Sequence, residues 1–212
     1  RDARCMTNFR SPKQTERLFV ALEMPVTWND ALGQLQDKVR AAMLRELPEP
    51  VPRLRWTRPE GIHLTLKFLG ETPRSLSGPI DHGLRGSVEA IRAFSLQLGR
   101  LGTFEDRRGP RVLWVDVEGE QEPLLELARR VDVALSLEAD LPREQRPFQP
   151  HLTLARIPEE AARELRFKLD DVLAGIRTPR PGPHRFAAVS LMRSHLERGG
   201  ARYERVRSYR LV

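Results

Sequence analysis

The chain has 212 residues, 40% of them hydrophobic, and a formal net charge of +7, with 32 Arg against 4 Lys. This length and apolar content allow one ordinary domain with a packed core, and no apolar run approaches the roughly 20 residues of a membrane-spanning helix. A single cysteine, Cys5, excludes an intramolecular disulfide and a thiolate zinc cluster.

The basic charge balance favours polyanionic partners, because Lys and Arg side chains neutralise phosphates and release counterions. We expect nucleic acid to be that polyanion, and Arg also suits bidentate phosphate recognition. We expect a cytoplasmic location, no leader segment, no membrane association and no obligate protein partner. Residues 1–14 are expected to be a disordered or tag-derived tail, and residues 15–212 a single domain.

Hydrophobic periodicity gives the elements of the first half of the chain. In chain order we predict a strand at 17–24, a helix at 28–47, a short strand at 54–57, a strand from residue 63 and an irregular or two-part helix at 73–93. Asn29 or Asp30 is the expected cap of the first helix, and the proline-rich stretch PEPVPR ends it.

The second half continues with hairpins and helices. We predict strands at 94–101 and 111–117 joined by the polar loop FEDRRGP, a helix at 120–137, a strand from residue 151, a helix at 158–174, and a final hairpin of strands at 186–195 and 202–210. The order indicates an α+β protein rather than a series of βαβ units. The sequence contains no Walker loop, GxGxxG, HExxH or EF-hand motif.

One short sequence motif occurs twice. His63-Leu64-Thr65-Leu66 and His151-Leu152-Thr153-Leu154 are both His-x-Thr with apolar residues between and after the polar pair. Such alternation is typical of a half-buried strand, with His and Thr on one face and the leucines in a core. A lone strand histidine is usually structural. Its repetition with a threonine at the same spacing favours a functional interpretation, in which a duplication brings two imidazoles and two hydroxyls to one cleft.

The sequence resembles the 2H phosphoesterases, and among them the RNA 2′,3′-cyclic phosphodiesterases once called 2′-5′ RNA ligases. The resemblance covers nearly the whole chain: RLFVALEMP, RWTRPEGIHLTLKFLGE, RVLWVDV, FQPHLTLAR and VSLMRSHLERGGARYERV occur in the family's order and spacing. It implies a two-lobed α+β fold. Each lobe is an antiparallel sheet with outer helices, and a pseudo-twofold axis relates the lobes around a central cleft.

Two histidines suit the opening of a cyclic phosphate. One neutral imidazole can activate water while a protonated one gives its proton to the departing oxygen, and threonine hydroxyls can donate to the charged phosphate oxygens. This scheme needs no cofactor, and two histidines without nearby carboxylate or cysteine ligands make a poor metal site. The resemblance implies that His63 is the proton donor and His151 the proton acceptor, giving a 2′-phosphomonoester.

Supporting residues are predicted from position. Lys67 is in register with His63 and Thr65, whereas Arg156 is one position out of register with its motif; both are candidate phosphate contacts. Phe148, before the second motif, could stack on a base, and Trp56 and Tyr203 could line the cleft. Trp114 is predicted to be a core residue. The other three histidines lack a threonine two residues on, and we expect them to be structural or on the surface: His82, His184 and His195.

The implied activity is hydrolysis of RNA 2′,3′-cyclic phosphate ends, with 2′-5′ ligation as a weak reverse reaction. Two alternatives stay open: a phosphodiesterase for a small cyclic nucleotide, and a non-catalytic basic RNA-binding module. Comparing the turnover of a cyclic mononucleotide with that of an RNA oligomer end would test the first alternative. Any turnover at all would exclude the non-catalytic alternative.

Overall fold

A computed structural model describes residues 15–197 and 200–212, and nine antiparallel strands join in one sheet. The strands are Thr15–Glu23 (β1), Arg55–Trp56 (β2), His63–Pro73 (β3), Phe94–Asp106 (β4), Gly109–Gly119 (β5), Leu152–Arg156 (β6), His184–Phe186 (β7), Ala188–Glu197 (β8) and Gly200–Arg210 (β9). The helices are Val26–Glu46 (α1), Ser77–Val88 (α2), Gln121–Ala139 (α3), Glu159–Leu165 (α4) and Leu169–Ala174 (α5). The expected tail and the tip of the last hairpin lie outside the described residues.

The sheet consists of two halves of four strands. One half has the order β3-β1-β8-β9 and the other β6-β5-β4-β7, with β2 paired to β6 as well. They meet between β3 and β6, where the register contains the single pair Leu64–Leu152. The predicted class is confirmed: an α+β fold of two antiparallel halves with helices outside. The two halves are continuous through this one pair.

The two faces of the sheet have different roles. In β1, Leu18, Val20 and Leu22 pack into the main core with the helices. The alternate residues Phe19 and Ala21 form a separate apolar cluster on the other face. All five helices contribute buried residues to the main core, so the face opposite the helices is left for a cleft.

Three local predictions differ from the structure. The first helix begins at Val26 and not at Trp28; Pro25 precedes it with an extended backbone, and no side chain caps it. The third predicted helix is divided into α4 and α5. The predicted loop FEDRRGP is mostly strand, because β4 runs to Asp106 and β5 begins at Gly109, whose φ of 122° suits a tight turn. Within the described part of the chain, no helix is long and apolar enough to cross a membrane.

Candidate active site

Leu64 and Leu152 bring the two motifs side by side. Because β3 and β6 are antiparallel, each histidine lies across from the threonine of the other motif, His63 from Thr153 for example. Both leucines are fully buried in the core, and the alternation of a strand therefore turns the polar residues to the opposite face. The His and Thr side chains of the two motifs form one polar patch on the face opposite the helices.

A cleft of about 570 Å³ opens over this patch. Six of the nine residues predicted from the sequence line it, namely His63, Thr65, His151, Thr153, Arg156 and Tyr203. Elements far apart in the chain meet here: β1, β3, β4, β6 and β9 all contribute walls. The sheet order thus places both motifs, the Arg17 and Arg156 side chains and the Tyr203 phenol around a single volume that can hold a small anionic group.

The two imidazoles are held in the same way. Nδ1 of His63 lies 2.8 Å from the carbonyl oxygen of Gly61, and Nδ1 of His151 lies 2.8 Å from the carbonyl oxygen of Gln149. A carbonyl oxygen only accepts hydrogen bonds, so Nδ1 carries the proton in each ring. This fixes the tautomer. Nε2 is therefore the nitrogen of each ring that can take up or give a proton.

The surroundings bias both rings toward the neutral state. Burial lowers the pKa of His63 and of His151 below the ordinary value, and the Arg156 guanidinium lowers both further. The backbone carbonyls act in the opposite direction, as does the Glu23 carboxylate at His63. A phosphate anion in the cleft would favour a proton on the pair, because it attracts the imidazolium form.

A β-bulge follows the threonine in each motif and re-aims the next side chains. In β6 the β5 ladder skips Leu154. Leu154 and Ala155 are consequently both fully buried, and Arg156 returns to the cleft face with Thr153. Strict alternation predicts the other face for Arg156. The predicted register was wrong, and the bulge is what brings this guanidinium to the cleft.

The matching bulge in β3 has the reverse effect on Lys67. The β1 ladder skips Leu66, and Lys67 therefore turns into the core, where it is 3% exposed. Its Nζ donates to Asp132 Oδ1 and to the carbonyl oxygen of Pro142, each at 2.6 Å. The prediction that Lys67 shares a face with the motif residues is wrong. The next residue, Phe68, takes the cleft-facing position.

Aromatic rings pack against both histidines. The Tyr203 ring meets His63 edge-on at 4.9 Å between centroids, and Phe19 lies 4.6 Å away on another side. Phe104 meets His151 edge-on at 4.8 Å. Of these three, only Tyr203 was predicted. Phe19 and Phe104 come from strands whose partners the local sequence does not reveal.

Three further predictions concern aromatic residues. Phe148 lines a second cavity beside the cleft, together with Thr65 and His151. Trp56 is not among the cleft residues; the Arg40 guanidinium stacks on its ring at 4.3 Å. Trp114, predicted as core, is half-buried on the cleft-facing side, where it pairs with Thr153. Strand alternation places Trp114 on this side, because its neighbours along β5 are buried.

One carboxylate near the site was not anticipated. Glu23 lies across the β1–β3 ladder from His63. It accepts hydrogen bonds from both Arg205 Nε and Nη2, at 2.7 and 2.9 Å, and from the Ser190 hydroxyl. Burial raises the pKa of Glu23, but these bonds outweigh burial and hold it below its ordinary value. A charged carboxylate therefore faces the first histidine.

The remaining histidines lie outside the cleft. His82 is exposed near Glu138, His184 packs against Trp28 and Phe186, and His195 bonds Glu204. Over residues 15–197 and 200–212, no three His, Cys, Asp or Glu side chains are grouped so that they could hold a metal ion.

Comparisons with known proteins show what this chain is similar to. The family profile described as the 2′-5′ RNA ligase superfamily matches residues 35–198. An RNA 2′,3′-cyclic phosphodiesterase of Methanothermobacter thermautotrophicus is 27% identical, over 92% of this chain and 98% of its own. A protein of the same name from Thermus thermophilus is 34% identical, over 88% of this chain and 86% of its own.

A solved structure gives the same result for the fold. The crystal structure of TT0787 from Thermus thermophilus superposes with a TM-score of 0.68 at 26% identity, over 92% of this chain and 97% of that one. The family profile covers most of the chain, including both His-x-Thr motifs and the strands that carry them. The chain belongs to the 2′-5′ RNA ligase superfamily.

Proposed function

We propose that this protein hydrolyses terminal RNA 2′,3′-cyclic phosphates to 2′-phosphomonoesters by acid–base catalysis between two histidines, without a metal ion. The observation that carries the proposal is the Leu64–Leu152 pair, which places two imidazoles and two threonine hydroxyls around one cleft. The names of the relatives support the substrate class. The net charge of +7 supports a polyanionic substrate.

The two histidines act on opposite sides of phosphorus. His151 Nε2 removes a proton from the attacking water while His63 Nε2 protonates the departing 3′-oxygen, so the ring opens with the phosphate left on the 2′-oxygen. Both rings have Nδ1 committed to a carbonyl, which aims Nε2 for this work. The Glu23 carboxylate favours the protonated form of His63, against the larger effect of burial, which lowers the pKa of that ring.

Thr65, Thr153 and Arg156 hold the phosphate. In the transition state negative charge increases on the non-bridging oxygens, and hydroxyl donors with a nearby guanidinium stabilise it. Arg156 reaches the cleft through the bulge in β6. The same groups would also catalyse ligation, in which a 5′-hydroxyl attacks phosphorus in place of water, the 3′-oxygen departs as before, and RNA ends are joined through a 2′-5′ bond; the excess of water makes ligation the minor reaction.

The test is hydrolysis of a short RNA with a 2′,3′-cyclic phosphate end, with the 2′- and 3′-phosphate products separated. We expect a 2′-phosphate product and a loss of about 10²–10⁴-fold in His63→Ala and in His151→Ala. His82→Ala, which removes an exposed histidine that does not line the cleft, is the matched control and should keep full activity. Near-normal activity without either cleft histidine would contradict the proposal.

The same assay addresses the remaining parts of the proposal. Hydrolysis is expected to persist in EDTA, because the acid–base pair makes a Lewis acid unnecessary. A cyclic mononucleotide assayed beside the oligomer distinguishes an RNA end from a small nucleotide as the preferred substrate. Any turnover excludes a purely RNA-binding role.

We also infer a cytoplasmic location, since a chain with one cysteine gains no internal disulfide from an oxidising compartment.

A further inference from the structure

A cavity of about 690 Å³ lies at the outer edge of the sheet, and none of its described lining residues belongs to the catalytic cleft. Its walls are the β4 segment 99–102, α5 and the loop that follows α5. β7 pairs with β4 only over residues 94–96, and among the described residues no other strand lies on that side of β4. The cavity therefore adjoins the part of this edge that no strand covers.

Three arginines converge on this cavity: Arg100 from β4, and Arg177 and Arg180 from the loop after α5. All three residues are exposed, and within the described part of the chain none of them has a hydrogen-bond or ion-pair partner. Among the residues that line the cavity, Asp170 is the only carboxylate. We call this volume the arginine cavity and define it by these three arginines. Its lining side chains carry three positive charges and one negative charge.

Carboxylates on neighbouring elements are engaged elsewhere. Glu159, at the start of α4, pairs with Arg108 and Arg163. Glu118 of β5 accepts a hydrogen bond from the Gln97 amide. Like charges around a concave volume repel one another, and the low-dielectric walls of a cleft strengthen their field. An anion bound between the three guanidinium groups relieves this repulsion.

The position of the arginine cavity relative to the cleft indicates which anion it meets. Phe104 lines the cleft and Arg100 lines the arginine cavity, four positions apart on the same strand (104 − 100). A strand rises about 3.3 Å per residue, so the two positions lie about 13 Å apart. One strand of stacked nucleic acid advances about 3.4 Å per nucleotide, and about four nucleotides cover that distance.

We propose that the arginine cavity binds backbone phosphates of the RNA strand on the 5′ side of its cyclic phosphate end, about two to five linkages from the cleft. This inference rests on the proposed function. Guanidinium groups make bidentate contacts to phosphate oxygens, and such contacts position a nucleic acid without reading its sequence. The cavity therefore favours an RNA oligomer over a cyclic mononucleotide, whatever the sequence of the oligomer.

The first experiment varies the length of the substrate. Oligoribonucleotides of one to about eight residues, each with a 2′,3′-cyclic phosphate end, are compared in kcat/KM. We expect kcat/KM to rise about tenfold between one and about five nucleotides and then to level off, because further phosphates lie beyond the cavity. Oligomers that are no better than the mononucleotide would overturn the proposal.

Variants show whether the three arginines cause the rise. Arg177→Gln should lower kcat/KM of the longer oligomers about threefold, and the triple variant with Arg100→Gln and Arg180→Gln should bring them down to the mononucleotide value. Arg92→Gln is the matched control for the single change, because Arg92 is exposed and lines neither the cleft nor the arginine cavity. An undiminished rise with length in the triple variant would contradict the proposal.

A second experiment locates the phosphates that the cavity contacts. In an RNA octamer with a cyclic phosphate end, one linkage at a time is replaced by an uncharged methylphosphonate. We expect kcat/KM to fall at about the second to the fifth linkage from that end, and these losses should disappear in the triple variant. Losses confined to the first linkage, or equal at every linkage, would overturn the proposed path of the strand.

Binding without turnover separates this proposal from the proposed function. Fluorescence anisotropy of a labelled octamer that ends in a 2′-phosphate gives the salt dependence of binding, whose logarithmic slope is about 0.7 per phosphate contact. The slope should fall by about 2 in the triple variant and stay unchanged in Arg92→Gln. A smaller slope together with no hydrolysis of any cyclic phosphate would reject only the proposed activity.

The converse results would reject only the arginine cavity. Normal hydrolysis by the triple variant, with an unchanged salt slope and an unchanged dependence on length, is one such result. A glutamate octapeptide added to the anisotropy assay gives the other. We expect it to compete poorly with the octamer, and competition as strong as that of unlabelled RNA would assign the cavity to an acidic protein segment instead.

Discussion

Leu64 and Leu152 are the one backbone pair that joins β3 to β6, and each is the central residue of a His-Leu-Thr motif. The pairing that connects the two halves of the sheet therefore also sets the two proposed catalytic histidines side by side. Both leucines are fully buried. Packing at this pair should determine how far apart the imidazoles lie.

We expect Leu152→Ala to lower both stability and activity. Removing a buried leucine side chain typically costs about 2–5 kcal/mol of the free energy of unfolding. Leu124→Ala is the matched control, since Leu124 is equally buried but lies on α3. Denaturant unfolding should show similar losses in both. At a temperature where both are folded, kcat should fall further in Leu152→Ala, and equal kcat values would contradict the role of this pair.

Lys67 is expected to matter through the loop before His151 rather than through the substrate. Its side chain is 2% exposed, and its Nζ ties Asp132 of α3 to the carbonyl oxygen of Pro142. Removing one member of a buried ion pair is typically destabilising by about 3–5 kcal/mol. Because Arg143 still contacts Asp132, we expect Lys67→Met to lie at the lower end of that range.

Hydrogen exchange gives a specific readout for Lys67. The backbone N–H of Glu144 donates to Asp132 at 3.0 Å, and its exchange should quicken in Lys67→Met as the loop loosens. Lys38→Met, at an exposed position of α1, is the control and should leave this amide unchanged. Full stability and unchanged protection in Lys67→Met would show that the ion pair does not order the loop.

The two basic residues after the motifs show where sequence-based prediction fails. The repeated His-x-Thr spacing predicts the strands, the paired faces and the four polar residues, because strand alternation is a local property. It cannot predict the bulges, which depend on how a neighbouring strand pairs. Strict alternation therefore placed Lys67 at the cleft and Arg156 away from it, and the structure reverses both.

Phe104 illustrates a second limit. Its segment FEDRRGP is rich in charge, which predicts a loop, yet β4 continues through Asp106 and places the Phe104 ring against His151. Cross-strand partners decide this outcome, and they lie elsewhere in the chain. For the same reason, Glu23 opposite His63 follows from the register of β1 with β3 and not from the sequence around either residue.

The threonines should contribute less than the histidines. Thr153→Val removes one neutral donor to a charged oxygen, a bond typically worth about 1.5–3 kcal/mol, whereas Thr153→Ser keeps the donor. We expect single-turnover rates to fall in the valine variant and to be largely retained in the serine variant. Thr65→Val and Thr65→Ser should behave alike, since the two motifs face each other. A loss larger than that of His151→Ala would show that the hydroxyls do more than hold phosphate.

The pH dependence of kcat/KM should be bell-shaped, with its maximum below the ordinary histidine pKa of about 6.5. Catalysis requires one neutral and one protonated imidazole, and burial and Arg156 lower the pKa of both rings. The singly protonated pair is therefore scarce at a pH of about 8 and becomes more abundant as the pH falls. In the substrate complex the phosphate anion favours the imidazolium form, so the kcat profile should lie at higher pH. The acidic and alkaline limbs of each pH profile report macroscopic pKa values of the coupled histidine pair, not of either histidine alone.

Two charge variants test the cause of these shifts. Arg156→Gln removes a cation that lowers the pKa of both His63 and His151, so both limbs should move to higher pH while the rate falls. Glu23→Gln removes an anion that raises the pKa of His63, so the limb that His63 dominates should move to lower pH, further than the other. If that limb is the alkaline one and is lost in His63→Ala, the result supports the proton-donor role of His63, because a proton donor must be protonated to act. Unmoved limbs in both variants would show that these charges do not act on the histidine pair.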